Sequence, residues 1–296
     1  MNPKVSIIIP TFNRSHTIRD CLNSVLAQTF QGFEVIIVDD FSDDWEKTKE
    51  IVQTYDNRFK FLRLIKNSGI SKARNEGFKY SSGQYLTFLD SDDLFMPKKL
   101  ETQIKILDEN TDAGMVYSDA YRMVNGKIDT KPDRYNRKVS SLPEYVIKDF
   151  IEESFIATMT VTVRRSIFEK VGMFDVDMEL NEDDDLWLRI MIKYKVAFCE
   201  YSSGIRRIHN SVGVQNGNIS RNRHKMIKYQ FLTFLKNIKI YKDELSPYLD
   251  AINERTNKIF ISYIFPSNFR FRFPQIEVLK IFYELKSNIK LLKSVD

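Results

Sequence analysis

The sequence predicts an α/β fold with a mostly parallel central sheet, flanking helices and a helical C-terminal extension. Three observations point there. Short apolar runs, VSIIIP (5–10), FEVIIVDD (33–40), FKFLRLI (59–65) and YLTFL (85–89), alternate with stretches of helical periodicity. Runs apolar along their whole length suit strands buried on both faces, the pattern of a parallel sheet covered by helices. From Arg221 onward the charge balance changes sign, with 15 Lys/Arg against 7 Asp/Glu in a chain of net +5, so the front of the chain is acidic and the tail basic.

Each element has its own signal. After the first strand, Ile18, Cys21, Leu22, Val25 and Leu26 recur at helical spacing. A polar segment with Trp45, Ile51 and Val52 predicts a second helix, and GISKARNEGFKYSSG (69–83) a third, ended by glycine. GMVYSDAYRM and the β-branched run ATMTVTVRR (157–165) read as further strands. Between them, NGKIDTKPDRYNRKVSS (125–141) is polar and turn-rich, a hairpin or loop of the kind that carries specificity. NEDDDLWLRI (181–190) opens a helix whose first turn is acidic, where the helix dipole favours negative charge, with Leu186, Trp187 and Ile190 as its buried positions. In the tail, Met226, Ile227, Phe231, Phe234, Leu235 and Ile238 keep helical spacing, and KIFISYIFPSNFRFRFP (258–274) is aromatic and basic together. The expected division is 1–120, 121–220 and 221–296.

Composition narrows the function classes. With 43% hydrophobic, 29% charged and 13% aromatic residues among 296, the composition is ordinary for a folded soluble enzyme and wrong for a disordered protein. Cys21 and Cys199, far apart in apolar stretches, read as reduced core thiols of a cytoplasmic protein, which excludes a cysteine metal site. No signal-peptide pattern precedes the first strand, and no window approaches the roughly 18 apolar residues of a membrane span. A G-x-G-x-x-G after the first strand and a G-x-x-x-x-G-K-[ST] loop are both missing, which argues against dinucleotide dehydrogenases and P-loop enzymes.

The polar residues gather at the strand ends. Pro10, Thr11 and Asn13 follow strand one, Asp39 and Asp40 strand two, and Asp90-Ser91-Asp92-Asp93 strand four. In a parallel sheet these ends share one edge, and ligands bind in the crevice outside it. Carboxylates brought so close repel one another, so the pattern calls for positive charge among them. A divalent cation on a phosphate-bearing ligand would supply it, since hard oxygen donors suit Mg²⁺ or Mn²⁺, with basic side chains such as Arg74 assisting. Asp93 either joins that site or caps the helix opening near Pro97.

These blocks, in order, resemble the family 2 glycosyltransferases, with the nucleotide-diphospho-sugar transferase (GT-A) fold. The resemblance runs through VSIIIPTFNR (5–14), VIIVDDFSDD (35–44), NSGISKARNEGF (67–78), YLTFLDSDDL (85–94), RRSIFEKVGMFD (164–175), NEDDDLWLRI (181–190) and RRIHNSVG (206–213). It implies a nucleotide pocket lined by Pro10, Thr11 and Asn13, with Asp39 accepting a hydrogen bond from the pyrimidine of a UDP-type donor. Arg74 would lie near base and diphosphate, and Asp90-Ser91 beside the ribose or a metal-bound water. Asp92 would hold Mn²⁺ or Mg²⁺, with Asp90 and His209 as further metal contacts. Asp183 would be the catalytic base, with Glu182, Asp93 and Arg189 in support; Arg189 either pairs with a neighbouring carboxylate or faces the diphosphate. One departure stands out: Phe41 occupies the place after the aspartate pair where the family usually has glycine.

The implied chemistry is an inverting, metal-dependent sugar transfer from a nucleotide-sugar donor to a hydroxyl of a glycan or lipid-linked acceptor, in surface polysaccharide synthesis. One carboxylate takes the proton of the attacking hydroxyl, and no enzyme nucleophile is required. A sugar nucleotidyltransferase would want a glycine-rich basic loop where PTFNRSHTI stands, and the intact acidic pairs oppose a binding module without turnover. The tail either packs on the catalytic domain, meets a second copy in a homodimer, or rests on the inner face of the cell membrane. No recognition motif supports nucleic acid as a partner.

Overall fold

The computed structural model describes residues 2–132, 145–208, 223–264 and 276–293. The chain divides into two compact units. One comprises Met1–Glu144, Ile156–Val176 and Tyr194–Ser211, the other Tyr145–Phe155, Asp177–Lys193 and Val212–Asp296.

The first unit is built on a sheet of nine strands among the described residues. Four predicted strands form its parallel half: β1 (Val5–Thr11), β2 (Phe33–Asp39), β3 (Phe59–Arg63) and β4 (Tyr85–Phe88), in the order β3-β2-β1-β4. Every residue of β1 and β2 is buried, as their apolar runs require. Alternate side chains serve opposite faces. Val5, Ile7 and Ile9 join Val35 and Ile37 in one core with Ile18, Cys21, Leu22 and Val25 of α1 (Ile18–Leu26). Ile36 and Val38 meet Ala73 of α3 (Ile70–Lys79) on the other face. The helix α2 (Trp45–Val52) links β2 to β3.

Beyond β4 the sheet is mixed. β8 (Thr162–Arg164) runs antiparallel between β4 and β6 (Ala113–Val124), while the long β9 (Lys195–Ile208) is parallel to β6. The short β5 (Leu94–Phe95), just after the acidic cluster, pairs antiparallel with β9 and so ties that cluster to the far end of the sheet. The helices α4 (Lys99–Glu109) and α6 (Arg165–Val171) complete the layers. β7 (Lys127–Ile128) turns back on β6 as the expected hairpin, and the rest of that loop from residue 133 lies outside the described residues. The run 157–165 is strand only in its last third. Thr158–Thr160 is a 3-10 turn in which the Thr160 hydroxyl donates to the Ala157 carbonyl at 2.7 Å, a local bond that competes with sheet pairing. Cys21 and Cys199 are free and buried.

The second unit is helical: α5 (Ile147–Glu152), α7 (Glu182–Lys193), α8 (Arg223–Ile240), α9 (Lys242–Leu245), α10 (Leu249–Ile264) and α11 (Ile276–Lys293). Ile227, Phe231, Leu235 and Ile238 of α8 are buried, and Phe282 of α11 stacks on Phe260 with ring centroids 3.9 Å apart. Several tail lysines are engaged inside this unit, as with Lys239 and Glu284 at 2.6 Å. No helix among the described residues is long and apolar enough to cross a membrane.

Gly83 marks where the chain leaving α3 crosses β1. A Cβ there would lie 2.6 Å from the Ser6 backbone nitrogen, and the Gly83 N–H donates to Ser6 Oγ at 2.8 Å. Gly83→Ala should therefore lower stability by about 1–3 kcal/mol, read from urea unfolding, because the Ser6 nitrogen and the Val5 carbonyl carbon that crowd it are backbone and cannot turn aside.

Candidate functional site

At the carboxyl ends of the parallel strands, Thr11 of β1 lies in register with Asp39 of β2, and Asp39 with Arg63 of β3. Asp39 is wholly buried. Its Oδ2 accepts the Ser42 N–H at 3.1 Å and lies 3.5 Å from Arg63 Nε, while its Oδ1 has no hydrogen-bond donor. The Thr11 hydroxyl is likewise buried without a partner. A buried carboxylate oxygen left unpaired is costly, so the arrangement suits a ligand that brings its own N–H.

Pro10 is buried within β1. Asn13 works as a staple: its N–H donates to Ser42 Oγ at 2.9 Å, and its Oδ1 accepts the Asp43 N–H at 2.8 Å. The loops after β1 and β2 are thereby bound together. Asp40 turns away from the edge. Its two oxygens accept the N–H groups of Ser68 and Gly69 at 2.7 and 2.8 Å, where Gly69 takes a positive φ of 86° at the start of α3. Of the five clustered carboxylates, Asp40 thus serves the fold.

The acidic loop is compensated by arginines. Arg74, 1% exposed on α3, donates from Nη2 to Asp90 Oδ1 at 2.8 Å and stacks over Phe174. Arg14 Nε lies 3.6 Å from Asp92 Oδ2. Asp93 Oδ1 accepts the Arg207 N–H from β9 at 2.7 Å, and the helix α4 has no side-chain cap, so Asp93 anchors β9 rather than capping α4. Burial first, then the charges of Asp92 and Asp90, push the Asp93 carboxyl well above its ordinary range. The same loop and burial push the Cys21 thiol up. Ser91 is buried beside them.

Among the described residues, no three His, Cys, Asp or Glu side chains form a metal-holding group. What the loop offers is a pair of hard carboxylates, Asp90 and Asp92, with side chains 36% and 20% exposed. That fits Mg²⁺ or Mn²⁺ bound through one or two carboxylates, with phosphate and water oxygens completing the shell, and it does not fit an all-protein cage. His209 lies outside the described residues.

In the second unit, α7 opens with four acids in different settings. Asp185 is fully buried and binds Arg189 Nη2 at 2.9 Å, Lys236 Nζ at 3.0 Å and Asn237 Nδ2 at 2.9 Å, fixing α7 to α8. Arg189 therefore pairs with a neighbouring carboxylate, the first of its two expected roles. Leu186, Trp187 and Ile190 are buried as expected, and Glu182 is nearly so. Asp183 Oδ1 accepts the Asp184 N–H at 2.9 Å. Asp184 accepts from the Ser154 hydroxyl at 2.6 Å and from Asn181 Nδ2 at 3.0 Å. It lines a small cavity with Phe150, Leu188, Phe234, Arg255 and Ile259. Burial, then the neighbouring Asp183 charge, push the Asp184 carboxyl up to about 7.

Sequence reading missed Arg14 and Arg63 as partners of Asp92 and Asp39. Each stands where it could have been found: Arg14 closes the PTFNR block, and Arg63 ends strand three beside the Asp39 end of strand two.

Asp184 holds its proton longer in the folded than in the unfolded chain. Its stabilising contribution is then full below the ordinary 3.8 and is lost as pH rises through about 7. Asp184→Asn should flatten the corresponding fall in the urea midpoint between those pH values, and an unchanged pH slope would place the proton elsewhere.

Comparison with known proteins follows the same lines. Residues 6–172 match the family described as Glycosyl transferase family 2. The chain is 30% identical over 229 residues to the UDP-Glc:alpha-D-GlcNAc-diphosphoundecaprenol beta-1,3-glucosyltransferase WfgD of Escherichia coli, covering 77% of this chain and 83% of that one. Among solved structures it resembles S. aureus TarS 1–349 in complex with UDP-GlcNAc, with a TM-score of 0.61, 18% identity and coverage of 98% and 90% of the two chains. It also resembles the mannosyltransferase PcManGT from Pyrobaculum calidifontis in complex with GDP-Man and Mn²⁺, with a TM-score of 0.60, 15% identity and coverage of 100% and 76%. At these identities the two structures speak for the fold, which is that of the GT-A glycosyltransferases.

Proposed function

The chain belongs to glycosyltransferase family 2, and we propose that it moves a sugar, with inversion, from a UDP-type donor to a hydroxyl of a glycan or lipid-linked oligosaccharide. The observation that carries the donor half is the pair of orphaned buried atoms, Asp39 Oδ1 and Thr11 Oγ1, at the sheet edge. They sit at the carboxyl ends of the parallel strands, the edge where such sheets bind nucleotides. The acceptor class is supported by WfgD, described as acting on a diphosphoundecaprenol-linked sugar. With such an acceptor the enzyme would work at a membrane surface in polysaccharide synthesis.

Asp92, with Asp90, would hold Mn²⁺ or Mg²⁺, which when bound offsets the negative charge gathering on the leaving diphosphate. Arg74 keeps Asp90 oriented from beneath, and Arg14 does the same for Asp92 from the loop after β1. Asp183 takes the proton from the acceptor hydroxyl as its oxygen attacks the anomeric carbon. The neighbouring acids are spoken for: Asp185 by its cations and Asp184 by its hydrogen bonds and raised affinity for a proton. Asp183 is the position that the family motif marks for the base, and the role is assigned to it on that ground.

Two substitutions test this. Asp183→Asn should lower transfer by about 10²–10⁴-fold, the usual size of a general-base contribution, with nucleotide affinity nearly unchanged. Release of nucleotide diphosphate at the wild-type rate in that variant would remove Asp183 from the role. Asp92→Asn should abolish the part of donor affinity that depends on added Mn²⁺, measured by calorimetric titration with and without chelator.

A further inference from the structure

The helix that carries Asp183 does not belong with the sheet. Asp177–Lys193 forms one compact unit with the C-terminal helices, whereas Thr11, Asp39 and the loop from Asp90 to Asp93 belong to the other. The proposed base and the donor-holding residues therefore answer to different packing contacts. Those around the base come from α8.

Two ties bracket Asp183. Two positions after it, Asp185 is wholly buried, and Lys236 Nζ of α8 lies 3.0 Å from each of its oxygens. Asn237 Nδ2 donates to Asp185 Oδ1 at 2.9 Å and to the Thr233 carbonyl of its own helix at 2.8 Å, which sets the amide facing the carboxylate. Four positions before Asp183, Glu179 accepts the Tyr229 hydroxyl at 3.0 Å and pairs with Lys225. Lys225, Tyr229 and Lys236 recur at i, i+4 and i+11, so one face of α8 makes both ties.

The ties differ in weight. Glu179 is 59% exposed, where an ion pair is worth little. Asp185 is shut off from water, so its bonds hold firmly. Arg189 reaches Asp185 along α7 itself, from i+4, and braces that helix without attaching it to another element. Lys236 and Asn237 make the attachment. Without the Lys236 charge Asp185 would still be balanced by Arg189, so the loss falls on position more than on folding. The turn needs such an attachment, because its consecutive acids repel and its first N–H groups have no partner within the helix.

We infer that Lys236 and Asn237 are positioning residues for the base: through Asp185 they fix the turn that carries Asp183, which makes the C-terminal helices part of the transfer machinery. The inference rests on the proposal that Asp183 is the base. A base must lie within hydrogen-bond reach of the attacking hydroxyl, and a misplacement of about 1 Å can cost about 10²-fold in rate.

The test is a double-mutant cycle of Lys236→Met with Asp183→Asn in the full chain. It reads kcat for UDP release from UDP-glucose or UDP-GlcNAc, whichever wild type turns over faster, and UDP affinity by calorimetry with Mn²⁺. Lys236→Met should lower kcat about ten- to a hundredfold and leave UDP affinity within about threefold, and Lys236→Arg should recover most of the rate. In the Asp183→Asn background, Lys236→Met should change the residual rate by less than about threefold, because no base is left to misplace. Equal losses in both backgrounds would overturn the inference and leave Asp183 as the base. So would a wild-type kcat in Lys236→Met. A wild-type kcat in Asp183→Asn alone would remove the base and the inference together. Lys239→Met, which breaks a surface pair with Glu284 on the same helix, should leave kcat and UDP affinity unchanged. A loss there as large as that of Lys236→Met would assign the effect to α8 as a whole and overturn the inference. If Lys236→Met melts too low to assay, the cycle runs on Tyr229→Phe, which keeps the ring and should lower kcat about threefold. Additivity with Asp183→Asn in that cycle would overturn the inference equally.

Discussion

The constraint on which this structure depends is the negative charge gathered at one edge of a parallel sheet. Pairing β1 with β2 and β4 in parallel brings Thr11, Asp39 and the loop from Asp90 to Asp93 to the same side. That edge is where the backbone of an α/β sheet leaves room for a ligand, and carboxylates crowded there must be compensated or protonated. The protein answers with arginines drawn from different elements: Arg74 from α3, Arg14 from the loop after β1, and the backbone of Arg207 from β9. The compensation is graded. Asp90 has a buried partner in direct contact, Asp92 a looser one, and Asp93 a single backbone donor with a carboxyl pushed upward.

Much of the front half was legible because its signals are local. Apolar runs fix strands, helical spacing fixes helices, and polar residues after strands fix the functional edge. What could not be read was pairing at long range. The antiparallel insertion of β8 and the return of β9 depend on contacts between residues many tens of positions apart, and the β5 link from Phe95 to Gly204 on residues more than a hundred apart. The same blindness hid Arg14 and Arg63 as partners of Asp92 and Asp39. The charge of the acidic loop called for a cation, and a metal was the expectation. The structure pairs the expected Arg74 with Asp90 and adds Arg14 beside Asp92. Asp40 shows the converse: two adjacent aspartates read alike in sequence, yet one faces the edge and the other secures the start of α3.

The opening turn of α7 makes the same point about environment. Glu182, Asp183, Asp184 and Asp185 are consecutive and chemically near-identical, and a helix start accounts for all four through its dipole. Tertiary contacts then separate them. Asp185 becomes a structural hub for Arg189, Lys236 and Asn237, and Asp184 is drawn into a cavity where it holds its proton toward neutral pH. A carboxylate that must accept a proton during turnover cannot be one that already holds it, nor one locked to several cations.

Backbone strain falls in the same places. The non-glycine residues with positive φ among those described are Asn13, Phe41, Asn125 and Asn181. Asn125 belongs to the β6–β7 turn, where asparagine is at home. Asn13 and Phe41 lie in the two loops that frame Asp39, stapled to each other through Ser42 and Asp43, and Asn181 stands immediately before Glu182, the first residue of α7. Asparagine visits this conformation at modest cost and phenylalanine does not. Strain persists only where the surroundings over-determine it. At Phe41 the backbone is held on both sides, since the Asp40 N–H donates to the Thr11 carbonyl and the Ser42 N–H to Asp39 Oδ2, while the exposed ring lies against the Arg63 guanidinium.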